Sequence, residues 1–395
     1  MSGAGLEDAV AALLAERTGR PCLFLPSGRL ALFLALRAWL SPGDRILMSP
    51  VNDDVILFVV LAAGLRPVMA PVSADDGNID PAAVPDATWS SLDGVLTTNL
   101  YGLPDRVEEL TDRCRRLGIP LIEDAAHAIQ TEVGGRPIGA FGAAAAFSFS
   151  KHAGAGGGGA LAFGDPRRRP QLEALRDQLL RVRRWRSGAA GLGLPAAERL
   201  VYRARLVRPA RYLRRTLGLA ERSAYRMPLR APLLEGAVAA APRLDRFEPW
   251  VRVDLHDYAE PPRPFQLRRM LARLGDLDGQ RAGRLAGARR LAELPAAAPA
   301  VRHGPAQALF RVPLLVEDRD AALAELLRRQ VPAGYVYDPP LDDYAGPRFT
   351  EPSPDPEVAR WWARRALPVD PLDAERALGV LDSHQRLERS APCPT

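Results

Sequence analysis

Lysine occurs once in this chain of 395 residues, at position 151, and the other 52 of its 53 basic Lys and Arg residues are arginines. A guanidinium stays protonated and cannot form a Schiff base, whereas a lysine amine can. Lys151 ends an apolar, strand-like run and stands just before a glycine run at residues 156–159. Because glycine-rich backbone lets a ligand approach closely, the pattern predicts an amine that holds an aldehyde as an imine. The alternative is a flexible loop with a solvated lysine.

A second chemical signal is the segment Leu121-Ile122-Glu123-Asp124-Ala125-Ala126-His127, in which acids follow an apolar run. In α/β sheets, ligands bind at the carboxyl ends of such strands. A carboxylate from Asp124 could pair with a cationic ring nitrogen and keep that ring protonated. A protonated pyridine is the electron sink that pyridoxal phosphate chemistry requires. The alternative is that Asp124 caps a helix.

A third signal is Pro26-Ser27-Gly28-Arg29, which opens an apolar helical run. Ser and Gly at a helix N-terminus offer backbone N–H groups and a favourable dipole to a phosphate, and Arg29 could add positive charge. A serine that only caps the helix would give the same letters.

In this order, these segments resemble the DegT/DnrJ/EryC1/StrS family of fold-type-I, pyridoxal-phosphate-dependent enzymes, which are mostly sugar aminotransferases. The resemblance extends over most of the chain apart from an arginine-rich insert. The segments that carry it are Ser27-Gly28, Pro42-Gly43-Asp44, Gly77-Asn78-Ile79-Asp80, Asn99-Leu100-Tyr101-Gly102, Glu123-Asp124-Ala125-Ala126-His127, Phe147-Ser148-Phe149, and Lys151 with the glycines at 156–159.

The resemblance implies a role for each matching residue. Lys151 would form the Schiff base, Asp124 would bind the ring nitrogen, and His127 would orient the ring hydroxyl. His152 has no role to transfer and is expected to be structural or exposed in a loop. Further cofactor contacts are predicted from Ser27, Gly28, Arg29 and Ser148. Substrate contacts are predicted from Asp54, Tyr101, Tyr335 and Tyr337, although packing is an equal alternative for the tyrosines at 335 and 337.

The chain also departs from the family pattern. The family's Gly-Glu-Gly-Gly is replaced by four glycines, and Asp53 or Asp54 stands where an aromatic residue commonly stacks on the cofactor. The family's Asn-Tyr-Arg segment, from which the partner subunit reaches the phosphate, is not found in the corresponding region, residues 256–262. These changes concern ring stacking and phosphate binding more than imine chemistry. One hypothesis is that Asp53 and Asp54 indicate a cationic or unusually small substrate.

Short apolar runs alternate with amphipathic stretches, which predicts a mainly parallel α/β sheet covered on both faces. The resemblance implies a seven-stranded sheet and a smaller C-terminal α/β domain. The predicted ranges are a cofactor domain at 1–165, a basic helical insert at 166–255, and a long helix with the small domain at 256–395. Strands are predicted at 45–49, 94–98, 120–123, 144–150 and 160–163, and helices at 105–117 and 266–294.

The segment 166–230 holds 18 arginines and four acids, a net charge of +14 in a chain whose total is +6. It is interpreted as a solvated helical arm, a docking surface for an acidic carrier protein or nucleotide-bearing substrate, or a membrane-surface segment. No nucleic-acid-binding motif accompanies the charge, so nucleic acid is not an expected partner. No apolar run reaches about 18 residues and no secretory signal is visible. Three cysteines without metal-ligand spacing favour a reduced, cytoplasmic protein.

The sequence therefore predicts an enzyme that uses pyridoxal phosphate to move an amino group from glutamate or glutamine to a keto group. The acceptor would be a nucleotide sugar or another biosynthetic intermediate. The resembled family builds its sites at the subunit boundary, which implies a homodimer. One alternative is a dehydratase or other lyase of the same fold, although the family's dehydratases carry His where Lys151 stands. The other is a non-catalytic cofactor-binding or scaffold protein that acts through its basic arm.

Overall fold

The computed structural model describes residues 3–182, 226–253 and 257–381. Two short two-stranded sheets, β6 with β7 and β10 with β11, accompany one large sheet. The strands are β1 Cys22–Leu25, β2 Arg45–Met48, β3 Arg66–Met69, β4 Gly94–Thr97, β5 Leu121–Asp124, β6 Glu132–Val133, β7 Arg136–Pro137, β8 Ala144–Ser148, β9 Gly159–Phe163, β10 Val312–Leu315 and β11 Ala366–Val369.

Helices connect the strands on both sides of the large sheet. The α-helices are α1 Gly3–Thr18, α2 Gly28–Trp39, α3 Asp54–Ala62, α4 Asp86–Trp89, α5 Val107–Leu117, α6 Arg169–Leu179, α7 Ala231–Ala239, α8 Glu248–Val251, α9 Pro264–Gly275, α10 Leu277–Ala292, α11 Pro299–His303, α12 Arg319–Arg328, α13 Leu341–Ala345, α14 Glu357–Arg365 and α15 Ala374–Leu381. Short 3₁₀ turns occupy Leu100–Gly102, Pro166–Arg168, Leu244–Phe247 and Pro371–Asp373. None of the described helices is long and apolar enough to cross a membrane.

The large sheet has seven strands in the order β1-β9-β8-β5-β4-β2-β3. The pairs among β8, β5, β4, β2 and β3 are parallel, and only β9 runs against its neighbours β1 and β8. The prediction of a mainly parallel seven-stranded sheet is confirmed. Because β1 runs in the same direction as β8, both end at the edge where β2, β4 and β5 also end. Loops at such an edge are where an α/β sheet binds ligands.

Each face of the sheet is covered by an apolar layer. On one face, α2 is buried without interruption from Leu30 to Leu36, and α3 is buried at every position except Ile56. On the other, Leu6, Val10 and Leu14 of α1 share a core with Leu267 and Met270 of α9. Helices that are apolar nearly all round must be buried, which explains why the runs at 30–36 and 55–62 lack the usual polar stripe.

The structure corrects several predicted elements. The predicted helix at 105–117 begins at Val107. Of the seven strands of the large sheet, β1 and β3 were not predicted, and neither were the strands of the two small sheets. The predicted helix at 266–294 is two helices, α9 and α10, that meet at Asp276. Gly275 and Asp276 are both poor helix formers, while the flanking Leu274 and Leu277 are both buried. The apolar spacing therefore continues across the break, so periodicity alone could not reveal it.

The C-terminal part has its own apolar cluster around the antiparallel pair β10 and β11, with side chains from α10, α12 and α15. The division at 165 and 255 stays a prediction. Most of the arginine-rich insert, residues 183–225, lies outside the described residues. The tail after His384, for which the sequence predicts a loose conformation, lies outside them as well. The described flanks of the insert form α6 on one side and α7 on the other.

Two glycines allow three backbone segments to touch beside the carboxyl edge of the sheet. A β-carbon at Gly159 would lie 2.5 Å from the Gly28 nitrogen and 2.6 Å from the Phe147 carbonyl oxygen. A β-carbon at Gly28 would lie 2.9 Å from the Ser148 β-carbon. Any larger side chain would separate the start of α2 from β8 and β9, so this contact explains why glycine is required here.

Replacing Gly159 by alanine should therefore lower the free energy of unfolding by about 2 kcal/mol or more, because backbone atoms would have to move. Gly236→Ala is the matched control, since this glycine lies within α7 and has open space around its α-carbon. That change should raise the free energy of unfolding by about 0.5–1 kcal/mol. Urea denaturation of both variants tests the contrast, and equal midpoints would contradict it.

Candidate active site

A cavity of about 610 Å³ opens at the carboxyl edge of the large sheet and is closed on one side by residues 333–337. It brings together most of the residues that sequence analysis selects. The predicted residues that line it are Ser27, Gly28, Arg29, Asp54, Asp124, His127, Ser148, Lys151, Tyr335 and Tyr337. Tyr101 is the exception, because it is fully buried behind the wall.

Lys151 lies in the tight loop that joins β8 to β9. The loop is closed by hydrogen bonds from Phe149 N to Gly158 O (3.0 Å) and from Ala155 N to Phe149 O (2.9 Å). Gly154, Gly156 and Gly158 have positive φ angles, which glycine adopts without strain. The glycine run is thus a compact turn that holds Lys151 half-buried at the cavity.

Asp124 is the last residue of β5 and its carboxylate accepts a hydrogen bond from Ala126 N (3.0 Å). No helix begins in the described residues between Asp124 and Glu132, so Asp124 closes a turn and does not cap a helix. Burial, the largest effect, and the negative charge of Asp53 together raise the pKa of Asp124 to about 7, against the opposing effects of the Ala126 N–H and the Lys151 ammonium. A carboxylate in this state would gain from a cationic partner in the cavity.

Glu123, the preceding residue, points to the other face of the sheet, as strand alternation requires. Its carboxylate accepts hydrogen bonds from the backbone nitrogens of Gly139 (2.7 Å), Phe141 (2.9 Å) and Gly142 (2.6 Å). Two adjacent acids in one motif therefore have different surroundings: Glu123 holds a loop and Asp124 faces the cavity.

His127 is buried among aromatic rings. Its ring lies 4.7 Å from that of Phe310 in a stacked arrangement and 6.3 Å from that of Tyr101. Burial lowers the pKa of His127 well below its ordinary value, and the nearby Lys151 ammonium lowers it further. The imidazole is therefore neutral, and a neutral imidazole has one nitrogen that donates a hydrogen bond and one that accepts.

The start of α2 forms another wall of the cavity. Ser27 caps the helix, because its Oγ accepts a hydrogen bond from Leu30 N (3.2 Å), and the same hydroxyl donates to the Tyr258 carbonyl oxygen (2.9 Å). The Arg29 guanidinium donates to the Val251 carbonyl oxygen. The structure thus agrees with both interpretations of this segment, because Ser27 caps α2 and the first turn of α2 lines the cavity.

The start of α3 supplies acids rather than a ring. Asp53 caps α3 through a hydrogen bond from Val55 N (3.0 Å), and Asp54 Oδ2 accepts from Met227 N (2.8 Å). Asn52 is fixed by its own side-chain bond to Thr98 Oγ1 (3.1 Å). The structure therefore places both aspartates at the wall of the cavity, where the resembled family commonly has an aromatic residue.

Arg226 is a cavity residue that sequence analysis missed. Its Nε donates to the Pro339 carbonyl oxygen (2.8 Å), its Nη2 to that of Tyr337 (3.1 Å) and its Nη1 to that of Asn52. Burial lowers the pKa of Arg226 while the charge of Asp54 opposes this shift. One arginine among 18 in its segment is hard to distinguish by composition. The signal that could have found it is the pair Tyr225-Arg226, the last two letters of Asn-Tyr-Arg, with Ala in the Asn position.

Two other predicted residues have structural positions. Tyr101 donates its hydroxyl to the Tyr335 carbonyl oxygen (2.7 Å) and stacks on Tyr337 at 5.7 Å, so it supports the wall from behind. His152 is buried and its Nε2 lies 3.0 Å from the Ala308 carbonyl oxygen. Burial lowers the pKa of His152 to about 3, so its ring is neutral. The burial of His152 agrees with the expected structural position, and the alternative, exposure in a loop, is wrong.

Residues 4–194 match the sequence model of the DegT/DnrJ/EryC1/StrS aminotransferase family. This match covers 191 residues, just under half of the chain. Over 155 residues, 38% of the chain, it is 36% identical to dTDP-3-amino-3,4,6-trideoxy-α-D-glucose transaminase of Streptomyces venezuelae. Over 183 residues, 46% of the chain, it is 32% identical to L-glutamine:scyllo-inosose aminotransferase of Streptomyces griseus. The matched stretches span 41% and 43% of these two relatives.

Solved structures resemble the chain over nearly its whole length. A DegT/DnrJ/EryC1/StrS aminotransferase from Brucella abortus gives a TM-score of 0.65 at 20% identity, covering 96% of this chain and 89% of that one. GDP-4-keto-6-deoxy-D-mannose-3-dehydratase of E. coli gives 0.66 at 14% identity, covering 95% and 91%. These likenesses confirm the fold class, which is common to an aminotransferase and a dehydratase.

The raised pKa of Asp124 has a consequence for stability. The ordinary pKa of this carboxyl is 3.8, so folding favours its protonated form. The stability that Asp124 contributes is therefore present at acid pH and is lost as pH rises through about 7. Urea denaturation of ligand-free protein gives the free energy of unfolding at about pH 5 and about pH 8. The fall in this free energy between the two pH values should be smaller in Asp124→Asn than in the unchanged protein, by about 1 kcal/mol or more. An identical loss in both proteins would contradict this assignment.

Asp105→Asn serves as a comparison. Burial also raises the pKa of Asp105 to about 7, but this residue does not line the cavity. Its replacement should also make the fall in the free energy of unfolding between the two pH values smaller. A cationic ligand in the cavity should stabilise the ionised form of Asp124 and leave the effect of Asp105 unchanged.

Proposed function

We propose that this protein is a pyridoxal-phosphate-dependent aminotransferase that moves an amino group from an amino acid donor, glutamate or glutamine, to a keto group. The observation that carries the proposal is that the chain's one lysine, the buried carboxylate of Asp124 and the N-terminus of α2 line one cavity. An amine, an anion and a helix N-terminus are the partners that an aldehyde, a pyridine nitrogen and a phosphate require.

The residues present fit this cofactor. A β-carbon at Gly28 would lie 2.9 Å from that of Ser148, so the glycine keeps the start of α2 close to β8. The hydroxyls of Ser148 and Ser150 lie 3.0 Å apart beside this cradle and can donate to phosphate oxygens. Asp124 has a raised pKa that a ring nitrogen would relieve. Ser27, Gly28, Arg29 and Ser148 would hold the phosphate end.

When bound, pyridoxal phosphate supplies an aldehyde for primary amines and a ring that withdraws electrons from the carbon next to the bound nitrogen. Lys151 would supply the amine that holds the aldehyde between turnovers, and its freed Nζ would accept a proton from the donor α-carbon. Asp124 keeps the ring nitrogen protonated through its negative charge. His127, which is neutral, would hydrogen-bond the ring hydroxyl without adding charge.

For the acceptor we propose a nucleotide sugar or a related cyclic keto compound. Two relatives support this class: one is a transaminase of a dTDP-linked deoxysugar, and the other an aminotransferase that acts on scyllo-inosose with L-glutamine. The acids at the start of α3 make a cationic or small acceptor a second possibility within the same reaction. Comparing turnover of neutral and cationic keto acceptors distinguishes the two.

Replacement of Lys151 tests the proposal directly. Purified protein mixed with pyridoxal phosphate should develop the absorbance band of covalently bound cofactor, and L-glutamate or L-glutamine should convert that band. Lys151→Ala should show no such band, and the rate at which it transfers amino groups should be lower by about a thousandfold or more. Lys151→Arg is the matched control, because it retains the positive charge but no amine that can lose its proton.

Each other outcome has a defined meaning. Conversion by Lys151→Arg at the unchanged rate would contradict the role of the amine. A band that no amino acid converts would contradict the aminotransferase and favour a lyase, the chemistry named for the E. coli dehydratase of this fold. Absence of any band would contradict cofactor binding and leave the scaffold alternative.

We also propose that the protein is a cytoplasmic homodimer whose subunits share each active site, as the family resemblance implies. Light scattering and turnover are measured across the same dilution series. Activity per subunit should fall as the dimer dissociates. A fully active monomer would contradict the shared site.

The arginine-rich insert is proposed to contact an acidic carrier protein, with a membrane surface as the alternative. Binding to anionic vesicles instead of an acidic protein would favour the alternative.

A further inference from the structure

The amine of Lys151 faces an aromatic ring on the C-terminal side of the cavity. Its Nζ lies 4.0 Å from the centroid of the Tyr335 ring. Ammonium groups within about 6 Å of a ring face are attracted by the ring's quadrupole. The ring and the amine are 184 residues apart in sequence, so the contact is made by the fold.

The backbone of Tyr335 adopts a conformation that a bulky side chain rarely takes. Its φ angle is +69°, in the left-handed region. The carbonyl oxygen of Tyr335 accepts a hydrogen bond from the Tyr101 hydroxyl (2.7 Å), and that of Tyr337 accepts one from Arg226 (3.1 Å). Such conformations persist where the surroundings impose them, and they often mark functional positions.

The ring itself is fixed by two edge contacts. Its centroid lies 5.2 Å from that of Phe310 at 69° and 5.7 Å from that of His127 at 78°. Both are T-shaped arrangements, which aromatic pairs favour. Tyr335 is therefore held by its backbone and by its ring, with its face toward Lys151.

We infer that Tyr335 is a positioning residue that covers the reacting amine of Lys151 and directs it into the cavity. The inference rests on the proposed function for its catalytic consequence. Asn52, Asp53 and Asp54, which lead into α3, line the same cavity and present no ring, whereas Tyr335 supplies aromatic surface there. Its ring limits the access of water and of other reagents to Nζ.

The single lysine makes this testable without the cofactor. The amines that trinitrobenzenesulfonate can reach in cofactor-free protein are Lys151 and the terminal α-amine, and peptide mass spectrometry measures the two separately from each other and from the cysteines. Relative to the α-amine, Lys151 should react about fivefold faster in Tyr335→Ala than in the unchanged protein. Tyr335→Phe, which retains the ring, should react at the unchanged rate.

A second variant separates the ring from the strained backbone. Tyr335→Gly removes the ring but adopts the positive φ without cost, so it should react as fast as Tyr335→Ala. If Tyr335→Gly reacts like the unchanged protein, loop displacement explains the alanine result and the inference is overturned. An unchanged rate in Tyr335→Ala would overturn it as well.

The loaded enzyme gives the catalytic readout. Tyr335→Ala should lower kcat for conversion by the amino donor about five- to tenfold with little change in KM. Tyr335→Phe should keep the kcat of the unchanged protein. A rise in KM alone would overturn the positioning role. If the unchanged protein converts no donor, the proposed aminotransferase function fails, while the reagent assay still decides whether Tyr335 covers Lys151.

Discussion

The backbones of three segments touch where Gly28 and Gly159 meet the end of β8, and the cavity depends on this contact. With β-carbons excluded, the first turn of α2 can approach Ser148 closely. The same approach brings Gly158 N within 2.9 Å of the Pro26 carbonyl oxygen, which fixes the end of the loop that carries Lys151. A steric requirement on two residues thus brings a helix N-terminus and an amine to one cavity.

Burial then sets the charge states around that cavity. It raises the pKa of Asp124 and lowers that of His127, so both groups favour their neutral forms in the protein without a ligand. A bound cation would reverse the first shift. Arg226 keeps its charge, because carbonyl oxygens and the nearby Asp54 compensate for the loss of water around it. The cavity therefore combines an acid that a bound cation would ionise with a guanidinium held by backbone carbonyl oxygens.

The sequence could predict what depends on local pattern and on residue chemistry. Apolar runs identified five of the seven sheet strands, and the lone lysine led to the cavity. It could not predict the break at Asp276, because apolar side chains flank it on both sides. It placed Tyr101 against substrate because a motif gives proximity in the chain, whereas its position behind Tyr335 depends on packing between distant segments. Arg226 was missed because 17 other arginines surround it in its segment.

The adjacent acids of β5 have a consequence for folding. Glu123 is satisfied by three backbone N–H groups on one face of the sheet, and Asp124 faces the cavity on the other. A slip of this strand by one residue relative to β4 and β8 would exchange the two faces. The longer Glu123 would enter the cavity, and Asp124 would be too short to reach the amides that Glu123 now binds. Charge thus specifies the register of a strand whose neighbours are mostly apolar and would otherwise discriminate weakly.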